Sequence, residues 1–305
     1  MTDELKKKTY YFMAGLPRSG STILSAILNQ NPDIYSGPSS PISGLMVQLE
    51  NYMANDELFL AYPKIEQAKQ IISNTLTHYY SDVTKPIIID KNRSWVNRLD
   101  YISNYFGIYP KVLCPVRNID EILTSFISMH RRNPYETNGK INFIDEILVK
   151  NNIPLTDDNR CELLASDSGI LGQSYIGLKD ALLKGHEKQL HFIEYNDLIK
   201  NPEETMKKIY DFLELPYFKH DFNNLINLHQ EDDTKIYGIP DMHSVRKELK
   251  STSLNPEEVL SERILNQCKN AEFWRNLTEV KFDDTYHEEE SNETKALDSN
   301  SNLIG

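Results

Sequence analysis

The sequence predicts an α/β fold in which a central parallel sheet is flanked by helices. Three observations carry this reading. Short apolar runs alternate with helical-period segments from about residue 9 to residue 216, the pattern of a parallel sheet covered on both faces. The first apolar run enters a helix through a loop with two glycines, of the P-loop-like kind that suits a nucleotide phosphate. Arg18, Lys91 and Arg117 each stand just past an expected strand end, where ligands bind in such sheets.

The elements follow in order. Residues 9–30 read as strand, loop and helix, closed by Asn29 to Asp33. Residues 36–44, with two prolines and two glycines, read as a loop. Helical patterns are expected at 45–56 and 64–80, and a short buried strand over Pro86 to Asp90. Residues 100–106 read as helix, 111–116 as strand and 120–132 as an amphipathic helix. A mixed insertion is expected at 133–160 and one long helix over about 160–184. A strand at 190–195 and a helix at 203–213 complete the alternation. There are no internal repeats.

Gly15-Leu16-Pro17-Arg18-Ser19-Gly20-Ser21-Thr22 is the most informative segment. Its spacing is nearly that of the nucleotide-binding pattern G-x-x-x-x-G-K-S/T, with Ser21 in the place of the Lys. Kinases and ATPases use that Lys on the β- and γ-phosphates. Its loss argues against ordinary ATP chemistry but not against a nucleotide phosphate. Arg18 supplies a cation inside the loop instead. A second pattern places Arg117 just after a strand and Ser125 eight residues on, in the next helix. A guanidinium with a nearby hydroxyl suits a phosphate dianion.

These segments resemble the sulfotransferases that use 3′-phosphoadenosine 5′-phosphosulfate (PAPS). Pro17 to Thr22 is similar to their 5′-phosphosulfate loop, and its Arg18 matches the carbohydrate and tyrosylprotein branches. The resemblance implies that Pro17, Arg18, Ser19, Gly20, Ser21 and Thr22 hold the phosphosulfate. It implies that Arg117 and Ser125 hold the 3′-phosphate. Lys91, in Asp90-Lys91-Asn92-Arg93, is similar to the lysine that reaches the bridging oxygen in those branches. The segment from Glu194-Tyr195 to Pro202-Glu203 resembles the family's R-Y-E-D-L-x-x-x-P-E stretch, with Tyr195 against the nucleotide. A late basic loop around Gly238, carrying Arg246 and Lys247, is where such proteins close over the nucleotide. The Trp that stacks on adenine in cytosolic members is absent, since Ile23-Leu24 follows Thr22. No motif assigns the catalytic base, and Glu50, Asp90, His130 and His243 are the candidates.

Composition bounds the rest. The chain has 305 residues, 39% hydrophobic and 10% aromatic, enough for a sizeable core. No apolar run reaches the length of a membrane span. The N-terminus has charge but no apolar core of the signal-peptide kind. Cys114, Cys161 and Cys268 lack metal or redox spacing, which fits reduced thiols and a cytoplasmic location. The eight histidines form no ligand motif and no metal is expected. Net charge is −12. Seven acids against Lys295 give residues 283–305 a net of −6, and this segment reads as a disordered tail to a single domain over 1–282. An acidic body argues against non-specific nucleic-acid binding.

The reading is a metal-independent sulfotransferase. It moves a sulfuryl group from PAPS to a hydroxyl or amine and releases adenosine 3′,5′-bisphosphate. The acceptor is a small molecule, carbohydrate or peptide, and residues 31–65 and 133–160 are expected to line its site. The alternatives are a P-loop nucleotide or small-molecule kinase and a non-catalytic nucleotide-binding module.

Overall fold

Ile87, Ile88 and Ile89 are β-branched residues in a row, and such runs form strands buried on both faces. In the computed structural model, which describes residues 8–276 apart from 134, 230, 241 and 252, they lie near the middle of a five-stranded parallel sheet. The acidic segment 283–305 lies outside the described residues. The chain divides into two compact units, Met1–Ala271 and Glu272–Gly305. In the second, Phe273–Arg275 forms one 3-10 turn.

The first unit begins with β1 (Thr9–Met13), α1 (Ser21–Leu28) and β2 (Ile34–Ser39). Helices α2 (Ile42–Asn55), α3 (Glu57–Ala61) and α4 (Ile65–Tyr79) follow, then β3 (Ile87–Lys91). A 3-10 turn (Arg93–Arg98), α5 (Leu99–Tyr101) and a π turn (Ile102–Phe106) lead to β4 (Val112–Val116) and α6 (Ile119–Arg132). A small hairpin of β5 (Glu136–Thr137) and β6 (Lys140–Ile141) precedes α7 (Phe143–Lys150), α8 (Asp157–Ala165) and α9 (Ile170–Leu183). Then come β7 (Leu190–Glu194), α10 (Tyr195–Lys200) and α11 (Pro202–Leu213). The last pieces are α12 (Asp233–Tyr237) and α13 (Glu262–Gln267), with a 3-10 turn at Pro256–Glu258 between them.

Strand order is β2-β3-β1-β4-β7, all parallel. The chain runs from β1 to one side through β2 and β3, then crosses to β4 on the other side. That reversal opens a crevice at the carboxyl ends of the central strands. On one face of the sheet, Leu24, Ile27 and Leu28 of α1 pack with Met206, Ile209 and Leu213 of α11 against Met13, Ile89 and Leu113. Elsewhere in the core Phe12 meets Trp95, both fully buried, with ring centroids 4.9 Å apart.

Three sequence expectations are corrected. Part of the expected loop at 36–44 is strand β2, which pairs with β3 from Ile34 to Ser39 with a register shift after Ser36. Gly37 and Pro38 sit at that irregularity, where an edge strand tolerates both. The long helix expected over 160–184 is two helices, because Ser166 and Gly169 are extended, with ψ of 160° and 155°. The helical segment expected at 100–106 starts earlier, at Arg93, where the Asn92 side chain accepts from the Ser94 N–H. The insertion at 133–160 resolves into the hairpin, α7 and the start of α8.

Candidate functional site

All five strands of the main sheet deliver a residue to one cavity. The loop after β1 supplies Gly15 to Thr22 apart from Ser19, β2 supplies Ser39, and β3 supplies Lys91. Arg117 follows β4 and Tyr195 follows β7. The cavity encloses about 640 Å³. Seven basic side chains line it against one acidic side chain, Glu248. In a chain of net charge −12 this is a strong local inversion.

The loop is fixed by close approach. A Cβ on Gly15 would stand 2.1 Å from the Pro115 carbonyl oxygen, so the turn packs directly on β4. Gly20 is the N-cap of α1 with φ +86°, and a Cβ there would press on the Tyr195 ring at 2.9 Å. No side chain caps α1 and no acid lies in its first turn. Its first N–H groups and the positive end of its dipole remain for an anion. Arg18 itself has φ +57°, a conformation uncommon for a side-chain-bearing residue. Ser19 is buried and its hydroxyl donates back to the Pro17 carbonyl at 3.3 Å.

Arg18 Nε donates to Ser125 Oγ at 3.2 Å, and its Nη1 donates to the Met242 carbonyl at 2.6 Å. Thus the residues read from two separate motifs touch. Arg117 is buried and engaged on every edge. Its Nε donates to Glu121 at 2.8 Å, Nη1 to the Arg18 carbonyl at 3.2 Å and Nη2 to Ser253 Oγ. Its guanidinium lies 4.3 Å from the Tyr195 ring centroid, close enough for a cation–π contact.

Lys91 ends β3 and is only 7% exposed. Burial lowers its pKa, Glu231 partly offsets that and Arg93 adds to it. Arg18 is likewise lowered, first by burial and then by Arg117 and Arg132. Among the described residues, Arg18, Lys91, Arg93 and Arg132 have no carboxylate within 4.0 Å. Cations crowded together without counter-charges are costly. A multiply charged anion relieves that cost, so the donor set fits a bisphosphate or phosphosulfate.

The other residues named from sequence fall in different places. Arg246 lines the cavity. Lys247 is absent from its wall, where Lys250 stands instead, and the Lys247 carbonyl accepts from the Leu225 N–H at 2.7 Å. Of the expected acceptor segments, only Ser39 and Asn133 reach this wall. Three base candidates are elsewhere. Asp90 is fully buried and accepts from Ser40, Tyr80 and Trp95 at 2.6–2.8 Å. Glu50 faces Tyr101 and Tyr105 on the helical layer. His130 is packed near Asp145 and Arg160, where burial lowers its pKa to about 4. His243 alone of the four lines the cavity.

Sequence reasoning missed the surroundings of His243. Nδ1 lies 2.6 Å from Asp233 Oδ1 and 2.8 Å from Glu231 Oε2. Asp233 Oδ2 also accepts the His243 backbone N–H at 2.8 Å, and Glu231 Oε1 accepts the Ser39 N–H at 2.8 Å. The sequence showed no ligand cluster, yet these three groups lie within 4.8 Å of one another, close enough to hold a metal ion. Burial alone would raise the Glu231 pKa, but the hydrogen bonds from His243 and Ser39 outweigh it and bring it to about 2. Arg93 and Arg132 were also unassigned, and no local pattern marks them.

Comparison with known proteins agrees with this geometry. The chain is 22% identical over 236 residues to a protein-tyrosine sulfotransferase of Drosophila melanogaster, covering 75% of this chain and 42% of that one. It spans about half the length of the curated relatives it matches. The sulfotransferase domain from the curacin biosynthetic pathway superposes with a TM-score of 0.50 at 15% identity, covering 85% of this chain and 98% of that one. A mouse sulfotransferase complexed with PAP gives a TM-score of 0.50 at 13% identity, covering 90% and 88%. Both share the fold. The profile of the Sulfotransferase family matches residues 11–219, the stretch that holds the phosphate loop, Lys91, Arg117, Ser125 and Tyr195, and the chain belongs to that family.

Proposed function

We propose that this chain transfers a sulfuryl group from PAPS to a hydroxyl or amine acceptor. The observation that carries this reading is the contact between Arg18 and Ser125 beside Arg117, in a cavity with seven basic side chains and one acidic side chain. Arg117 and Ser125 hold the 3′-phosphate. Arg18 and the N–H groups at the start of α1 hold the 5′ side. Lys91 stabilises the charge that develops on the leaving phosphate, where a preorganised cation acts without solvent reorganisation. Ile23, Leu225 and Leu249 line the same cavity and give adenine an apolar wall in place of the missing Trp. Tyr195 orients Arg117 from below through the ring contact. Arg246, on the late loop, adds a cation at the rim.

The side chains supply the positive charge that a kinase takes from magnesium. The acceptor is proposed to be a hydroxyl on a peptide, as the name of the Drosophila relative suggests, ahead of carbohydrates and small phenols. Among the described residues no helix is long and apolar enough to cross a membrane. The three cysteines are buried and form no disulfide among the described residues, which fits the proposed cytoplasmic location. Incubation with sulfur-labelled PAPS and a panel of tyrosyl peptides, oligosaccharides and phenols tests the reading. Label should appear on at least one acceptor and persist with a chelator present. Label on none of them, with intact PAPS binding, would instead support a binding module.

A further inference from the structure

Glu248 and His243 are the carboxylate and histidine in the cavity wall among the described residues. Glu248 is an exposed side chain paired to Lys250. His243 is different. Its backbone is held by three contacts, Asp233 on its own N–H, Asn227 on its own carbonyl and Arg18 on the preceding carbonyl of Met242. Its ring is hydrogen-bonded at Nδ1 to Asp233, with Glu231 Oε2 2.8 Å away. The Asp233 carboxylate accepts at Nδ1, so that nitrogen carries a proton. In the neutral ring Nε2 then presents its lone pair, and no hydrogen bond holds it among the described residues.

We infer that His243 takes the proton from the acceptor hydroxyl, with Asp233 and Glu231 as positioning residues. This rests on the sulfotransferase reading above. The acceptor oxygen forms a bond to sulfur, and the bond from sulfur to the 5′-phosphate oxygen breaks. The hydroxyl proton goes to Nε2 and then to solvent. The electron pair of the broken bond stays on the phosphate, beside Arg18 and Lys91. Two contacts also hold the late segment against the sheet. Arg18 reaches the segment at Met242, and Ser39 of the sheet edge grips Glu231. One contact therefore joins the phosphate loop to the proton acceptor.

The same three groups could be read as a cation site. Two features speak against it. One oxygen of each carboxylate is already taken by a backbone N–H, and Lys91 and Arg93 lie close enough to influence Glu231. The groups facing His243 are Glu231, Asp233 and the Tyr237 ring, at 5.6 Å between centroids.

Three measurements test the inference in the full chain. The first is calorimetric affinity for adenosine 3′,5′-bisphosphate. The second is PAPS turnover across pH with a tyrosyl peptide or water as acceptor. The third is nitrogen NMR of the histidine rings. His243→Gln should keep product affinity within about twofold and lower turnover at least about a hundredfold. NMR of the wild type should show the His243 proton on Nδ1. Asp233→Asn should disturb that resonance and lower kcat with little change in KM, and Asp233→Glu should restore part of it. Turnover within twofold of wild type in His243→Gln, or a neutral His243 ring protonated on Nε2, would overturn the assignment while leaving the family reading in place. Loss of activity to a chelator and recovery with a divalent ion would overturn it in favour of a metal site. Absence of bisphosphate binding in the wild type would overturn both readings. If His243→Gln fails to fold, the Asp233 variants and the NMR line decide alone.

Discussion

Arg117 is held from four directions, by Glu121, the Arg18 carbonyl, Ser253 and the Tyr195 ring. These contacts make it a structural residue, and the proposed function makes it a binding group as well. Arg117→Ala should weaken binding of adenosine 3′,5′-bisphosphate by on the order of 2–4 kcal/mol, the loss of charge-assisted hydrogen bonds. It also leaves Glu121, with 16% side-chain exposure, without its cation, so the melting temperature should fall too. Calorimetry and a melting curve check both, and unchanged affinity removes Arg117 from the site. Lys91 separates binding from catalysis. In its proposed role its contact strengthens as charge builds on the leaving phosphate, so Lys91→Ala should cut turnover about tenfold to a thousandfold. Product affinity should change much less. Equal losses in both quantities would make Lys91 a ground-state anchor instead.

At the scale of elements, the loop between β1 and α1 depends on contact with β4. Gly15→Ala forces a Cβ toward the Pro115 carbonyl and should destabilise the fold by about 1–3 kcal/mol. A urea midpoint equal to that of the wild type would show that the loop has room to move. This loop was legible in the sequence because its chemistry is local: two glycines at fixed spacing, between a strand and a helix. Arg117 and Ser125, named from the resemblance, both line the cavity, though Ser125 bonds Arg18 and not Arg117. Strand β2 was hidden, because Gly37 and Pro38 mark an irregular edge that reads as a loop. The break at Ser166 was hidden because the apolar period continues across it. The grouping of Glu231, Asp233 and His243 was out of reach. Short helix α12 and an irregular turn bring residues twelve positions apart together, and no periodicity records that. Asp90 was one of four base candidates, but strand alternation sends its side chain to the face opposite that of Lys91.

Over the whole molecule, two histidines couple stability to pH. His130 lies in the core of the helical layer, and His220 lies among the rings of Tyr210, Tyr217, Phe218 and Phe222. Burial lowers both pKa values to about 4. Each is bound by a proton more readily when unfolded, where a histidine titrates near ~6.5. Stability from these groups is therefore full above about 6.5 and declines as pH falls toward 4, by on the order of 1–2 kcal/mol for each at pH 5. Urea unfolding at pH 7 and pH 5 should show that decline, and His220→Phe should remove part of it. An equal decline in the variant would place the acid sensitivity elsewhere.

The basic cavity within an acidic chain is the central feature of the account, and nucleotide choice tests it most directly. Calorimetric titration with adenosine 3′,5′-bisphosphate should show tight one-site binding. Titration with ATP and magnesium should show binding at least tenfold weaker, because Ser21 replaces the lysine that serves the β- and γ-phosphates. ATP and magnesium binding as tightly as the bisphosphate would contradict the account.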